Sequence, residues 1–571
     1  MQLRAGAFTL LYENGFLRYI NYGKTEILRM VYFALRDENW GTMDTVTKNE
    51  VIHFEQNSFH ISYDCCHQKN GIDIFCWKVT ISGSESGEIV FEIDGYALSD
   101  FLKNRLGFCV LHPIGNYNNQ QVEITHPDNT ITQTNFSEYI ANDDPFRQIK
   151  SLKWQKDNHW FNLDFEGDIF ETEDQRNWTD ASFKTFCTPH DLPVPVKIKN
   201  GERVHQKIIF SPVEHLPVLP DKKSGTVEIS ITGEVFELPE IGVGTSAATN
   251  QLSAKSEALL RALGLKHYAI TVEPSREHWT AQFFNDAENA KKLRLPLQVT
   301  LQLGEDFLKE TTLFTTLCHQ LKAGIKSILL LSKNELVTGQ QLTDQIRIIK
   351  EQFPGVVIGV GTDYNFKEIN RCRFDVNGAD FVSYSIHPQE HAFDDLSLIE
   401  SIAAQADTVK TAKHIYGENM PVHISPVTLK KRFNPYASDP ALITKPYSER
   451  TDLRQKKSFC ALFTLGSIKS LVVAKASSIT YFQTVGDQGI LSAKNEPFPV
   501  YFALKNVLNN ISATIINTTS TDPLVVDGLL FADGLLILWN YTGIQQTALI
   551  SGGQTIKLGP HQIKTVNIKF D

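Results

Sequence analysis

Four stretches of this chain concentrate side chains that can move protons or hold charge. The first is Glu173-Asp174-Gln175-Arg176-Asn177-Trp178-Thr179-Asp180-Ala181-Ser182-Phe183-Lys184, where carboxylates, cations and amides are interleaved with Trp178 and Phe183. It shows neither a helical stripe nor strict alternation, so it reads as one wall of a polar pocket or as a solvated loop with two anchoring aromatics. The second is Gly361-Thr362-Asp363-Tyr364-Asn365, followed by Glu368, Asn370 and Arg371. The third is Ile386-His387-Pro388-Gln389-Glu390-His391-Ala392-Phe393-Asp394-Asp395, and the fourth runs from Ser425-Pro426-Val427-Thr428 to Arg432-Phe433-Asn434-Pro435. Carboxylates, imidazoles, amides and cations gathered at one place suit general acid–base hydrolysis with electrostatic stabilisation of an oxyanion.

The elements around these stretches say whether they can meet. From about residue 236 to 500, apolar strand-like runs alternate with amphipathic helical segments. The runs are Glu240–Gly244, Tyr268–Val272, Leu297–Leu301, Ser327–Leu331, Val356–Val360, Phe381–Ser385, Val422–Ser425 and Ser478–Phe482. Helical patterns lie between them at Ser253–Leu263, Trp279–Leu293, Leu342–Gln352, Leu396–His414 and Arg454–Val473. Eight such units in roughly 260 residues is the size of a (β/α)8 TIM barrel, whose site lies at the C-terminal ends of its strands. The second, third and fourth stretches follow strands five, six and seven. A doubly wound open sheet is the alternative, but no glycine-rich phosphate loop follows the first strand.

Residues 1 to about 235 read as an antiparallel β-sandwich. Short runs such as Val51–Phe54, Phe59–Tyr63, Ile74–Val79 and Ile89–Ile93 are separated by Asn, Gly, Ser and Asp. The segment after the first stretch, with Pro189, Pro193 and Pro195, excludes a helix interior. From about 508 the texture returns to β, with strands at Leu535–Trp539, Thr547–Ile550 and Thr565–Ile568. The expected division is therefore a sandwich at 1–235, a TIM barrel at 236–507 and a small C-terminal β-domain at 508–571.

Composition narrows the partners. A net charge of -10 over 571 residues, with no basic cluster, argues against nucleic acid. No apolar run is long enough to span a bilayer, and the start, Met1–Gly6, lacks a signal-peptide layout. A cytoplasmic protein is expected. The eight cysteines are scattered without CxxC spacing and read as free thiols.

Local motifs carry competing readings. His387-Pro388-Gln389-Glu390-His391 fits the H-x-x-E-H pattern of zinc peptidases, but that chemistry needs both histidines on one helical face. Here the pattern leaves a strand with a proline in its first turn, so a substrate loop without metal is expected. Asn334-Glu335 after strand four resembles the acid position of barrel glycosidases, yet Ser425–Thr428 supplies no second carboxylate after strand seven. Asp363 is either a catalytic base or the cap of a helix over Phe366–Arg373; Asp394 and Asp395 precede a helix and pose the same choice. His423 lies within strand seven and reads as a core histidine. Gly-x-Ser-x-Gly is absent from the strand–helix junctions, so a serine-hydrolase elbow is not expected.

On these residues the chain resembles the D-apionate lactonases. The stretch Glu173–Lys184 is similar to that family's signature over twelve successive positions. Arg105-Leu106-Gly107, Leu111-His112-Pro113, Gly361-Thr362-Asp363, Pro388-Gln389 with His391–Asp394, and Ser425–Thr428 with Arg432–Pro435 extend the match. The resemblance implies an N-terminal β-domain, a TIM barrel and a C-terminal β-domain, and hydrolysis of D-apionolactone to D-apionate in apiose catabolism. The chain departs from the family pattern at Gln483 (Glu expected), Asp487-Gln488 (Trp-Arg), His387 (Asn) and Ala269 (Arg).

The expected function is a hydrolase that opens a small sugar lactone without metal or cofactor. The expected catalytic residues are Asp363, Asp394, His391 and Glu173, with Asp363 or Asp394 activating water. Arg176, Asn177, Asp180, Lys184, His387, Gln389, Thr428 and Gln483 are expected to bind the sugar. The charged stretch is expected to cover the barrel mouth. A glycoside hydrolase acting on plant glycosides and a catalytically silent sugar-binding protein are the alternatives.

Overall fold

A computed structural model describes residues 1–115, 117–219, 225–436, 443–444 and 446–569. The chain divides into two compact units, 1–175 with 182–223, and 176–181 with 224–571.

The first unit is a β-sandwich of two nine-stranded antiparallel sheets. In one, Gln2–Ala5, Phe8–Glu13, Phe16–Tyr22, Thr25–Asp37, Phe101–Pro113, Ser182–Phe186, Phe170–Asp174 and Phe146–Ile149 lie side by side, and Val196–Ile198 pairs with Phe101–Pro113. The other runs from Ile131–Asn135 to the edge strand Asp44–Phe54. Alternating side chains point inward, as in Ile89–Ala97, where every second residue from Ile89 to Ala97 is buried. Phe33 and Phe108 of the first sheet meet Trp77 and Phe91 of the second edge-to-face, with Phe91 and Phe108 centroids 5.0 Å apart. These contacts make one core between the two sheets.

One expectation fails here. Cys66 and Cys76 are register partners in neighbouring antiparallel strands and are joined in a disulfide. A spacing of ten residues across a hairpin carries no motif, so the pairing was invisible without the register. Cys65, Cys109, Cys187, Cys318, Cys372 and Cys460 are free thiols.

The second unit holds the barrel. Its eight parallel strands are Glu240–Gly244, Tyr268–Val272, Leu297–Leu303, Ile325–Ser332, Val357–Gly361, Phe381–Ile386, Val422–Val427 and Ser478–Val485, and the first closes on the last. Apolar side chains buried on both faces explain why these strands read as continuous apolar runs. Among the described residues eight α-helices follow barrel strands, and those at Phe307–Leu321 and Pro499–Leu508 lie outside the helical patterns named above.

The C-terminal sheet corrects the first boundary. Its order is Thr555–Leu558, Gln546–Ile550, Thr226–Glu237, Thr514–Ser520, Val526–Phe531, Leu535–Asn540 and Ile563–Asn567. The limit placed at 235 falls inside Thr226–Glu237, which pairs antiparallel with Thr514–Ser520 and parallel with Gln546–Ile550. The strand that leads into the barrel thus belongs to the sheet built after it, a pairing across about three hundred residues that local pattern cannot reveal.

Candidate active site

A pocket opens where strands five, six and seven end. It is lined by Asp363, Tyr364, Asn365 and Glu368 after strand five, by Ser385, His387 and Glu390 from strand six, and by Lys431–Tyr436 after strand seven. Trp178, from the hexapeptide Arg176–Ala181 that groups with the barrel, completes it.

Backbone geometry sets the first wall. Gly361 has φ 142°, and a Cβ there would stand 2.1 Å from Ser383 O, so only glycine lets strand five lie this close to strand six. Thr362 N then donates to Ser383 O at 2.9 Å and Thr362 Oγ1 to Leu336 O at 2.6 Å. Ser385 Oγ donates to the carbonyls of Asp363 (3.0 Å) and Tyr364 (2.8 Å). Those bonds turn the chain so that Asp363 faces the pocket. The short helix Phe366–Arg371 starts at Asn365, so Asp363 is not its cap.

The pocket's electrostatics are sharply divided. Asp363 is 5 % exposed; burial pushes its carboxyl up, opposed by Arg432, whose Nη1 stands 3.6 Å from Oδ2. Gln302 Nε2 donates to the same oxygen at 3.3 Å. Glu368 is also pushed up by burial, against the pull of Lys367, the Tyr436 hydrogen bond and Arg371. Glu390 behaves oppositely: burial would raise it, but Lys431 at 3.0 Å, with His387 and His391, brings it below the usual carboxylate range. Burial holds His387 down to about 4, so it is neutral at pH 7. His387 Nδ1 and Asn365 Oδ1 are buried without a hydrogen-bond partner, the condition in which a bound ligand or water gains most. The arrangement offers carboxylates biased toward carrying protons, cations for a developing negative charge, and unsatisfied polar atoms for hydroxyls.

The sequence-derived site residues separate into two groups. Asp363 and His387 line the pocket. His391 is held by Asp180, Nδ1 to Oδ2 2.6 Å, with its ring edge-to-face on Trp178 at 5.8 Å. These two are next to a pocket residue and support its wall.

The others are engaged elsewhere. Glu173 and Lys184 are cross-strand register partners and form an ion pair within the first unit. Arg176 is fully buried, with Nη1 donating to Asp407 at 3.0 Å. Asn177 Oδ1 accepts from Asn370 Nδ2 at 2.8 Å. Asp394 caps the helix Asp395–Tyr416, accepting from Ser397 N (3.0 Å) and Oγ (2.8 Å). Gln389 Nε2 donates to Leu429 O (2.8 Å) and Asp452 (2.6 Å), and Thr428 Oγ1 to Lys430 O (2.7 Å). Gln483 bridges Ala247 N and Gln488 at 2.9 Å each. His387–His391 is not helical, so its two histidines share no helical face. Lys431, Arg432, Glu390, Glu368 and Tyr436 were missed as individual site residues. The four charged residues were signalled only as charge after strands five to seven, and Tyr436 carried no signal of its own.

Fold and pocket together define a barrel protein with acid–base groups at its strand ends. Residues 1–215 match the D-apionate lactonase N-terminal domain, and residues 241–512 match the D-apionate lactonase TIM barrel domain. The chain belongs to the D-apionate lactonase family. A protein named D-apionate lactonase from Brucella anthropi is 26% identical over 592 aligned positions, spanning 99% of this chain and 96% of the relative. Solved structures with some likeness include a GH30 endoxylanase from Clostridium papyrosolvens (TM-score 0.40, 9% identity, 60% of this chain, 98% of the other). A family 51 α-L-arabinofuranosidase from Bifidobacterium longum aligns with TM-score 0.42 and 10% identity over 60% of this chain and 95% of the other.

Proposed function

We propose that this chain is a lactonase that opens D-apionolactone to D-apionate, and that it works in the cytoplasm on a free small-molecule substrate. The observation that carries the reading is the pairing of buried Asp363 with Arg432 in a pocket of a D-apionate lactonase family barrel. Asp363 takes a proton from water as the water oxygen attacks the lactone carbonyl. Lys431 and Arg432 face the oxygen that becomes negative, and neutral His387 with Asn365 holds sugar hydroxyls. Such donors and a positioned base each contribute orders of magnitude to the rate.

Incubating purified protein with D-apionolactone and following lactone loss and acid release tests the proposal. Turnover abolished in Asp363→Asn supports it; a wild type that leaves every aldonolactone unchanged rejects it.

A glycoside hydrolase is the second reading, because three carboxylates, Asp363, Glu368 and Glu390, line the pocket and glycosidases use two. Release of an aryl leaving group from aryl pentofuranosides would favour it over the lactonase.

A further inference from the structure

Lactone opening needs two proton movements. One proton leaves the attacking water, and another must reach the ring oxygen, which otherwise departs as a high-energy alkoxide. The first reading supplies Asp363 for the first movement and leaves the second unassigned.

The other ionisable pocket groups are committed or hold their protons: Lys431 is paired with Glu390 at 3.0 Å, and burial pushes the Tyr364 phenol up. Glu390 is held ionised by Lys431 at 3.0 Å. His387 carries no spare proton near neutrality, because burial holds its imidazolium form down. Arg432 is engaged with the side chain of Asp363 at 3.6 Å and with its carbonyl. Glu368 remains. It is 2 % exposed, stands on the short helix Phe366–Arg371, and receives a hydrogen bond from Tyr436 Oη at 2.5 Å. Tyr436 is itself fixed: Lys367 Nζ lies 3.7 Å from its ring centroid and 4.2 Å from that of Trp178, and the two rings meet edge-to-face at 6.2 Å. The charged groups that bear on Glu368 are Lys367 and Arg371 on its own helix, Tyr436 from the loop after strand seven and Glu390 from the loop after strand six.

We propose that Glu368 is the general acid of the lactone-opening reaction and that Tyr436 is the residue that positions it; this rests on the lactonase reading above. The water oxygen bonds to the carbonyl carbon, its proton passes to Asp363, and the carbonyl π pair becomes the oxyanion. Collapse reforms the C=O bond and breaks the ring C–O bond. The departing oxygen takes the proton of Glu368 and becomes a hydroxyl. The new acid ionises, and the proton on Asp363 is lost to solvent while Glu368 is reprotonated from it. Atoms and charge balance to lactone plus water giving hydroxy acid. Burial favours the protonated form that the step requires, and the phenol hydrogen bond opposes it.

The test is the pH dependence of kcat/KM, which reports groups of the free enzyme, measured for wild type, Glu368→Gln and Tyr436→Phe with D-apionolactone. A general acid works protonated, so wild-type activity should fall as pH rises through its pKa. Glu368→Gln should lower kcat by about 10²–10³-fold and flatten that alkaline limb. Tyr436→Phe removes a hydrogen bond to the ionised form, so its limb should move to higher pH, a shift that a merely structural residue would not cause. An alkaline limb unchanged in Glu368→Gln, or unmoved in folded Tyr436→Phe, overturns the assignment while the lactonase reading stands. A wild type without turnover overturns both.

Discussion

Arg432 Nη1 stands 3.6 Å from Oδ2 of Asp363, while a second guanidinium nitrogen of the same arginine donates to the Asp363 carbonyl. The arginine thereby holds both the charge and the backbone of the residue that follows strand five. Burial favours the neutral carboxyl, and the guanidinium favours the carboxylate that a base must be.

That relationship predicts a signed shift. Asp363 acts ionised, so activity should rise with pH through its pKa. Arg432→Met removes the opposing cation, and the acidic limb of kcat/KM should move to higher pH, with kcat reduced about 10–10³-fold through loss of a donor to the oxyanion. Arg432→Lys should move the limb less. A pH–rate series on the three proteins checks this; an acidic limb that stays in place in Arg432→Met contradicts it.

Lys431 and Glu390 form the pocket's other ion pair, 3.0 Å apart with side chains 25 % and 17 % exposed. Lys431→Met should strand a largely buried carboxylate and cost about 1–3 kcal/mol of stability. Because Glu390 has its pKa held below the usual range in the fold, its contribution is present near neutrality and lost as pH falls through the folded value. Adding Glu390→Gln to Lys431→Met should recover most of the melting temperature. Thermal denaturation of the single and double variants at neutral pH measures it, and additive losses would contradict the pairing.

Arg176 tests the division between site and scaffold. It is fully buried on Asp407 and does not line the pocket. Arg176→Ala should destabilise by about 3–5 kcal/mol, with the KM of the folded fraction close to wild type. Urea unfolding alongside steady-state kinetics separates these effects. A normal unfolding midpoint with a large rise in KM would return Arg176 to substrate binding.

Asp394 is a sharper control. As the N-cap of Asp395–Tyr416, its replacement by Ala should cost about 1 kcal/mol of stability and leave kcat within twofold. A hundredfold fall in kcat would show that the cap also touches the reaction.

How much of this was legible depends on what each residue's neighbours are. The barrel strands could be read because they are buried on both faces, so Ser327–Leu331 and Val356–Val360 stand out as apolar runs whoever their partners are. Asp363 and His387 could be placed because a strand's C-terminal end is defined by the strand itself. Thr226–Glu237 alternates polar and apolar residues in an ordinary way, and its partners lie about three hundred residues away. The charged stretch divides between scaffold and pocket for a related reason. Its composition suited a pocket, but cross-strand register pairs Glu173 with Lys184, and burial against a helix pairs Arg176 with Asp407, leaving Trp178 as its pocket residue. Charge density records that partners are needed, and only the fold says whether the partner is another side chain or a substrate.

The most direct measurement is the hydrolysis of D-apionolactone by purified wild type and by Asp363→Asn, with the product identified by mass and NMR. The structure predicts D-apionate from the wild type and a loss of about 10²–10⁴-fold in kcat for a correctly folded Asp363→Asn. Turnover equal in the two proteins, or no lactone opened by the wild type, would contradict it.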